Sequence, residues 1–404
     1  MSGSKRPRIV VTACGLISPL GFGLAENQAA LFDNPRSAIG PVTLFDAGKN
    51  RCQIAAEIDH ARLREIIAGK RQSRRLHRAS SMMIGAATEL AEADPGFEPD
   101  LTVIGTTSGG MSFGEAFFQR LRQSGSLRGA PTEVANYMPQ KPVLDALDSR
   151  GWSRDLQIVS NACASGTNAI GMAVQAIRAG RARRVLAGGY DALAQLVFCG
   201  FDALQAASPT PCRPFDRHRD GLNLGEAAAL LALEPLEEAE QRGAPMLAEI
   251  VGYGASTDTH HLTQPHPEGH GPRLSMERAL ADAGLEPATI DYINAHGTAT
   301  PLNDQSETAA IRALFPPTVR VSSTKGFVGH TLGAAGALEA VFAVLALGTG
   351  RPLINLNLNE PDPDAEFALV TESGASNDAF RFCLSNSFGF GGANASLVLK
   401  GFHS

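Results

Sequence analysis

The feature that most constrains this chain is a repeated alternation of short β-branched runs with longer helical segments. Arg8–Ala13 (RIVVTA), Leu101–Gly105, Gln157–Asn161 and Val185–Gly188 read as strands, because consecutive branched side chains suit a pleated, buried surface. Between them, Ser80–Ala93 is rich in alanine. Gly166–Ala179 places Ile170, Val174 and Ile177 on one helical face and ends before Gly180, a residue suited to the left-handed C′ position. A second series follows, with strands at Leu247–Ala255, Ile290–Ala295, Val319–Ser323 and Leu397–Lys400. Its helices are expected at Pro272–Ala283, Gln305–Phe315 and Leu332–Leu347. Such alternation implies an α/β fold with buried sheets covered by helices. A length of 404 residues fits two domains or one large fold made of two halves.

Composition narrows the function. Lys plus Arg is 35 and Asp plus Glu is 41, a net charge of −6 with no dominant basic stripe, so nucleic-acid binding is not expected. The six cysteines, at 14, 52, 163, 199, 212 and 383, include no C-x-x-C pair, which argues against zinc ribbons and thioredoxin chemistry and suits a reducing, cytoplasmic setting. Met1–Arg8 is polar and basic without a following apolar core, so no signal peptide is expected. The most apolar stretch, Gly333–Gly350, carries Glu339 and is short for a bilayer span, so it reads as a buried helix.

Cys163 is the nucleophile candidate. In Ile158-Val-Ser-Asn-Ala-Cys-Ala-Ser-Gly a strand ends, small residues turn, and a helix begins. The positive end of a helix favours thiolate over thiol. A buried, inert cysteine is an equally open reading of the local sequence. Two histidines lie in strand-to-helix connections, where α/β folds place ligands: His296 in Asn294-Ala-His-Gly-Thr-Ala-Thr-Pro and His330 in Ser322-Ser-Thr-Lys-Gly-Phe-Val-Gly-His-Thr. The helix following His330 is expected to keep its imidazole neutral and able to donate one N–H. Four more histidines, His260, His261, His266 and His270, crowd Asp258–His270. Two prolines and irregular spacing make this a solvated loop with no metal expected.

Lys325 lies five residues before His330. Glu307, three residues after Asp304, reads most simply as part of a capping box with Asp304 as N-cap, or else as a buried carboxylate paired to Lys325. In Asn386-Ser-Phe-Gly-Phe-Gly-Gly-Ala-Asn, glycines flank aromatic residues without Gly-Lys-Ser/Thr. That pattern suggests exposed backbone amides able to serve an oxyanion.

Together these segments resemble the β-ketoacyl-acyl-carrier-protein synthases of the Cys-His-His type, within the thiolase-like superfamily. The resemblance also takes in Val11–Gly21, Arg213-Pro-Phe-Asp-Arg-His-Arg-Asp-Gly and Gly225-Glu-Ala-Ala, and it spans almost the whole chain. It implies a five-layered αβαβα fold of two similar halves, residues 1–250 carrying the nucleophile and 251–404 the histidines. Cys163 would accept the acyl group, with His296 and His330 as the paired histidines. Thr298 and Thr300 would line the phosphopantetheine channel, and Lys325 and Glu307 would support the histidines. Phe390 would be the gate, with Phe388 beside it, and the N–H groups of Phe390 and Cys163 would form the oxyanion hole. The expected partner is acyl carrier protein, in a homodimer or in a heterodimer with a related subunit, without a metal or other cofactor. Arg71, Arg74, Arg75 and Arg78 could supply a basic docking patch or simply a solvated face.

Departures from the family pattern are Asn161 before the nucleophile, alanine after Gly225-Glu, and Asp220-Gly-Leu-Asn-Leu-Gly. They put in doubt a housekeeping role in fatty-acid elongation and leave a specialised synthase for polyene or polyketide-like chains open beside it. Two alternatives stand beside an active condensing enzyme. A non-catalytic chain-length partner would normally lose the nucleophile, and a degradative thiolase would need a late Cys-x-Gly, where this chain has only Cys383 in Phe382-Cys-Leu-Ser.

Overall fold

The computed structural model describes residues 6–68, 76–125, 130–372 and 381–402. Its main sheet repeats one pattern twice. In the first half the strands run in the order Ile9–Ser18, Ala227–Pro235, Val185–Asp191, Leu101–Gly105, Leu156–Val159, paired antiparallel twice and then parallel twice. In the second half the order is Ala248–Thr257, Ala393–Gly401, Phe382–Gly389, Tyr292–Asn294, Arg320–Ser322, with the same sequence of pairings. Ala368–Leu369 adds a parallel strand beyond the last of these. A three-residue antiparallel ladder, Ile9 opposite Ile250 to Val11 opposite Ala248, joins the halves. The residue 250/251 division expected from sequence therefore cuts through Ala248–Thr257, a strand that belongs whole to the second half.

Helices form the remaining layers. Arg78–Ala93 and Lys141–Arg150 cover the outer face of the first half, and His270–Ala283 and Pro301–Leu314 cover that of the second. Ser165–Arg178 and Ala335–Thr349 lie between the halves and pack on each other. The result is the five-layered αβαβα, thiolase-like architecture. The apolar segment Leu332–Thr349 is long enough to cross a membrane, but its helix is the central core element, with Leu338, Val341, Phe342 and Leu347 buried against both halves.

The two central helices touch almost backbone to backbone. A Cβ on Gly336 would lie 2.0 Å from Thr167 Oγ1, and one on Gly166 would lie 2.7 Å from Ala337 N. Sequence reading missed the strand Ala227–Pro235 (AAALLALEP), which is buried along almost its full length. Alanine and leucine carry little strand propensity, and burial between two helical layers overrides it. Asn386–Gly389, read as a glycine loop, is the end of the strand Phe382–Gly389.

Candidate active site

Three connections deliver the site. Cys163 stands between the strand Leu156–Val159 and the helix Ser165–Arg178. Its turn is held by Asn161 N donating to Ser165 Oγ (2.8 Å), and by Ser165 Oγ (2.6 Å) and Thr107 Oγ1 (3.1 Å) donating to the Ala162 carbonyl. His296 follows the strand Tyr292–Asn294, and His330 follows the short helix Lys325–Val328. Beside each lies a non-glycine residue in the left-handed region: Ala162 (φ 47°), Ala299 (φ 66°) and Leu332 (φ 54°). Such conformations cost about 1–3 kcal/mol and persist where the surroundings over-determine them, as at functional sites.

The structure brings the three predicted residues together. His330 Nε2 lies 3.0 Å from Cys163 Sγ, and the two imidazoles meet edge to face at 5.2 Å. Leu332 N donates to His330 Nδ1 (3.3 Å), which leaves the neutral ring's proton on Nε2, facing the sulfur. His296 Nδ1 faces Lys325 Nζ at 3.3 Å. An ammonium can only donate, so His296 also carries its proton on Nε2. Burial first, and the Lys325 charge second, hold both imidazoles well below the usual histidine range. Both are therefore neutral as expected, but the leading cause is desolvation and not the helix end.

For Cys163 the helix-end argument fails. Burial pushes its thiol up to about 11, against the pull of Lys325 and of the backbone N–H groups of Phe390 and of Cys163 itself. Desolvation outweighs the dipole because the sulfur is enclosed, so the resting group is a thiol.

The supporting carboxylates are also corrected. Lys325 pairs with Glu339 Oε1 at 2.5 Å, both fully buried, rather than with Glu307. Glu339 was legible only as a charge out of place in an apolar helix. Glu307 instead accepts from His296 N (2.9 Å), Gly297 N (2.8 Å) and Asn386 Nδ2 (3.0 Å), and burial raises it to about 7. No capping box forms: the helix begins at Pro301 with Thr300 as N-cap, and Asp304 accepts from Phe215 N and Ala299 N.

Sequence reading missed Asp191. This buried carboxylate accepts from Thr106 Oγ1 (2.8 Å), Thr107 N (2.9 Å), Ser108 N (2.8 Å), Ser108 Oγ (2.7 Å) and Gly333 N (2.6 Å). It thereby ties the loop that braces the Cys163 turn to the segment after His330. Its signal would have been an acid ending an otherwise apolar strand, VLAGGYD.

A cavity of about 260 Å³ opens beside the thiol. Thr298 and Thr300, joined Oγ1 to Oγ1 at 2.8 Å, line one wall. Phe388 is buried against His296 at 5.8 Å, whereas Phe390 is 38% exposed and stacks on Phe201 at 5.6 Å. Cys383 is buried in its strand and does not line the cavity. Of the arginines that could supply a basic patch, Arg71, Arg74 and Arg75 lie outside the described residues, and Arg78 is half-buried and ion-paired with Glu226.

A thiol, two neutral N–H donors and two backbone amides converge on one small cavity, a set of groups suited to acyl transfer. The chain matches the β-ketoacyl synthase N-terminal domain over residues 6–239 and the C-terminal domain over 247–359. It is 34% identical to a 3-oxoacyl-[acyl-carrier-protein] synthase 2 of Staphylococcus aureus, covering 99% of this chain and all of that protein. It is 35% identical to the Synechocystis protein of the same name, covering 99% of each. Among solved structures, the ishigamide ketosynthase/chain length factor superposes with a TM-score of 0.91 at 32% identity, covering 98% of this chain and all of the other. The chain belongs to the β-ketoacyl synthase family.

Proposed function

We propose that this chain catalyses decarboxylative Claisen condensation of an acyl group with malonyl-acyl-carrier protein, extending a fatty-acid or polyene/polyketide-like chain. The observation that carries this reading is the 3.0 Å approach of His330 Nε2 to Cys163 Sγ, with His296 across the same cavity. Cys163 sulfur attacks the carrier thioester carbonyl, the C–S bond to phosphopantetheine breaks, and the released thiolate takes up the thiol proton. The Phe390 and Cys163 N–H groups receive the oxyanion. Malonyl thioester then loses CO₂, and the Nε2–H donors of His296 and His330 stabilise the enolate oxygen. The enolate carbon attacks the acyl-Cys163 carbonyl and expels the Cys163 thiolate, which takes up one proton from solvent to restore the thiol. Lys325, held by Glu339, keeps His296 in the donating tautomer, and Glu307 fixes its backbone. Thr298 and Thr300 hold the phosphopantetheine arm, and Phe390 swings from Phe201 to admit substrate.

The reaction balances without a redox cofactor or a metal. The names of its relatives favour acyl carrier protein as partner, and the pairing named for the ishigamide ketosynthase favours a dimer with a like or related subunit. Six unpaired thiols fit a cytoplasmic setting. The test is mass spectrometry after incubation with acyl-carrier protein. Parent protein gains the acyl mass and Cys163→Ala gains none, while a His296→Ala/His330→Ala variant still acylates but no longer releases CO₂ from malonyl-carrier protein. An acyl increment on Cys163→Ala would overturn the reading. So would undiminished CO₂ release by the double variant.

A further inference from the structure

We propose that His266, Glu268 and His270 form a binding site for a borderline divalent transition metal of the zinc class, on the loop that backs the Phe390 wall of the cavity. One ligand atom from each of the three lies within 4.8 Å of the others. His270 Nε2 already meets Glu268 Oε2 at 3.1 Å, the His266 and His270 rings stack at 4.1 Å, and the His260 ring lies tilted 4.9 Å from that of His266. Two imidazoles and one carboxylate are a donor set for zinc-like ions in an open site that keeps a water. Calcium and magnesium prefer oxygen donors throughout.

The anchor of the site is fixed rather than floppy. His266 N donates to Asp258 Oδ2 (3.0 Å), and its carbonyl accepts from Ser306 Oγ (2.9 Å). The same loop grips the segment after Phe390: Gly391 N donates to the Leu262 carbonyl (2.8 Å), Asp258 N to the Gly392 carbonyl (2.9 Å), and Asn394 Nδ2 to Asp258 Oδ1 (2.7 Å). A bound ion would fasten the loop to the first turn of the helix His270–Ala283 and stiffen that grip. The site stands apart from the condensation chemistry and does not depend on it.

The test is isothermal titration of the chelator-treated full chain with zinc chloride, in a Cys163→Ala background. That background removes the thiol whose cluster with His296 and His330 also brings three ligand atoms close together. One zinc per chain is expected, weakened at least about tenfold by His270→Gln and also weakened by Glu268→Gln. Both side chains are exposed, at 55% and 75%, so the fold should be unaffected, which a thermal melt checks. Absence of micromolar binding, or binding unchanged in both variants, overturns the site.

Discussion

At the scale of single residues, the site is built on desolvation. Enclosure keeps His296 and His330 neutral and Cys163 protonated, so the imidazoles are donors at rest and the sulfur must lose its proton during acylation. A thiol with a pKa of about 11 gains thiolate roughly tenfold per pH unit at all lower pH. Alkylation of Cys163 by iodoacetamide should therefore climb steadily from pH 7 to pH 9, followed by mass spectrometry (both pH values are about two or more units below the titration). A plateau already reached at neutral pH would mean a preformed thiolate and a dominant helix dipole. Cys163, His296 and His330 could be singled out because each sits in a strand-to-helix connection, but the local sequence left an inert cysteine equally open, and only the family resemblance favoured the nucleophile. Glu339 and Asp191 were not, because their meaning lies in partners 14 and 142 residues away.

At the scale of elements, most strands and helices were legible from β-branched runs and apolar periodicity, including Leu101–Gly105 to the residue. Ala227–Pro235 escaped because its neighbours on both faces, not its own propensities, make it a strand. The helix at Pro301 was set four residues too late because Asp304 looked like a cap, whereas Thr300 and Pro301 supply the start. The contact between the central helices was also invisible, since it consists of absent side chains. Gly336→Ala should lower stability by about 1–3 kcal/mol in a denaturant melt, despite alanine's better helix propensity, because the new methyl meets Thr167 at 2.0 Å. Unchanged or raised stability would show that the helices can part without cost.

At the scale of the whole molecule, the repeated strand order places Cys163 from one half against two histidines from the other. Among the described residues, the strand Leu156–Val159 ends the sheet with one side unpaired, the kind of edge that proteins cover or pair. Light scattering should give a two-chain particle, near twice 42.4 kDa for a homodimer; a 42.4 kDa species at assay concentration would count against pairing. The glycine contact between Ser165–Arg178 and Ala335–Thr349 has a consequence for how such a catalyst diversifies. Those two rods butt together like the jaws of a closed caliper, one carrying the sulfur at its tip and the other following the imidazole. The reacting gap is thus gauged by main-chain atoms, leaving the walls around the growing chain free to be resculpted for new lengths and shapes.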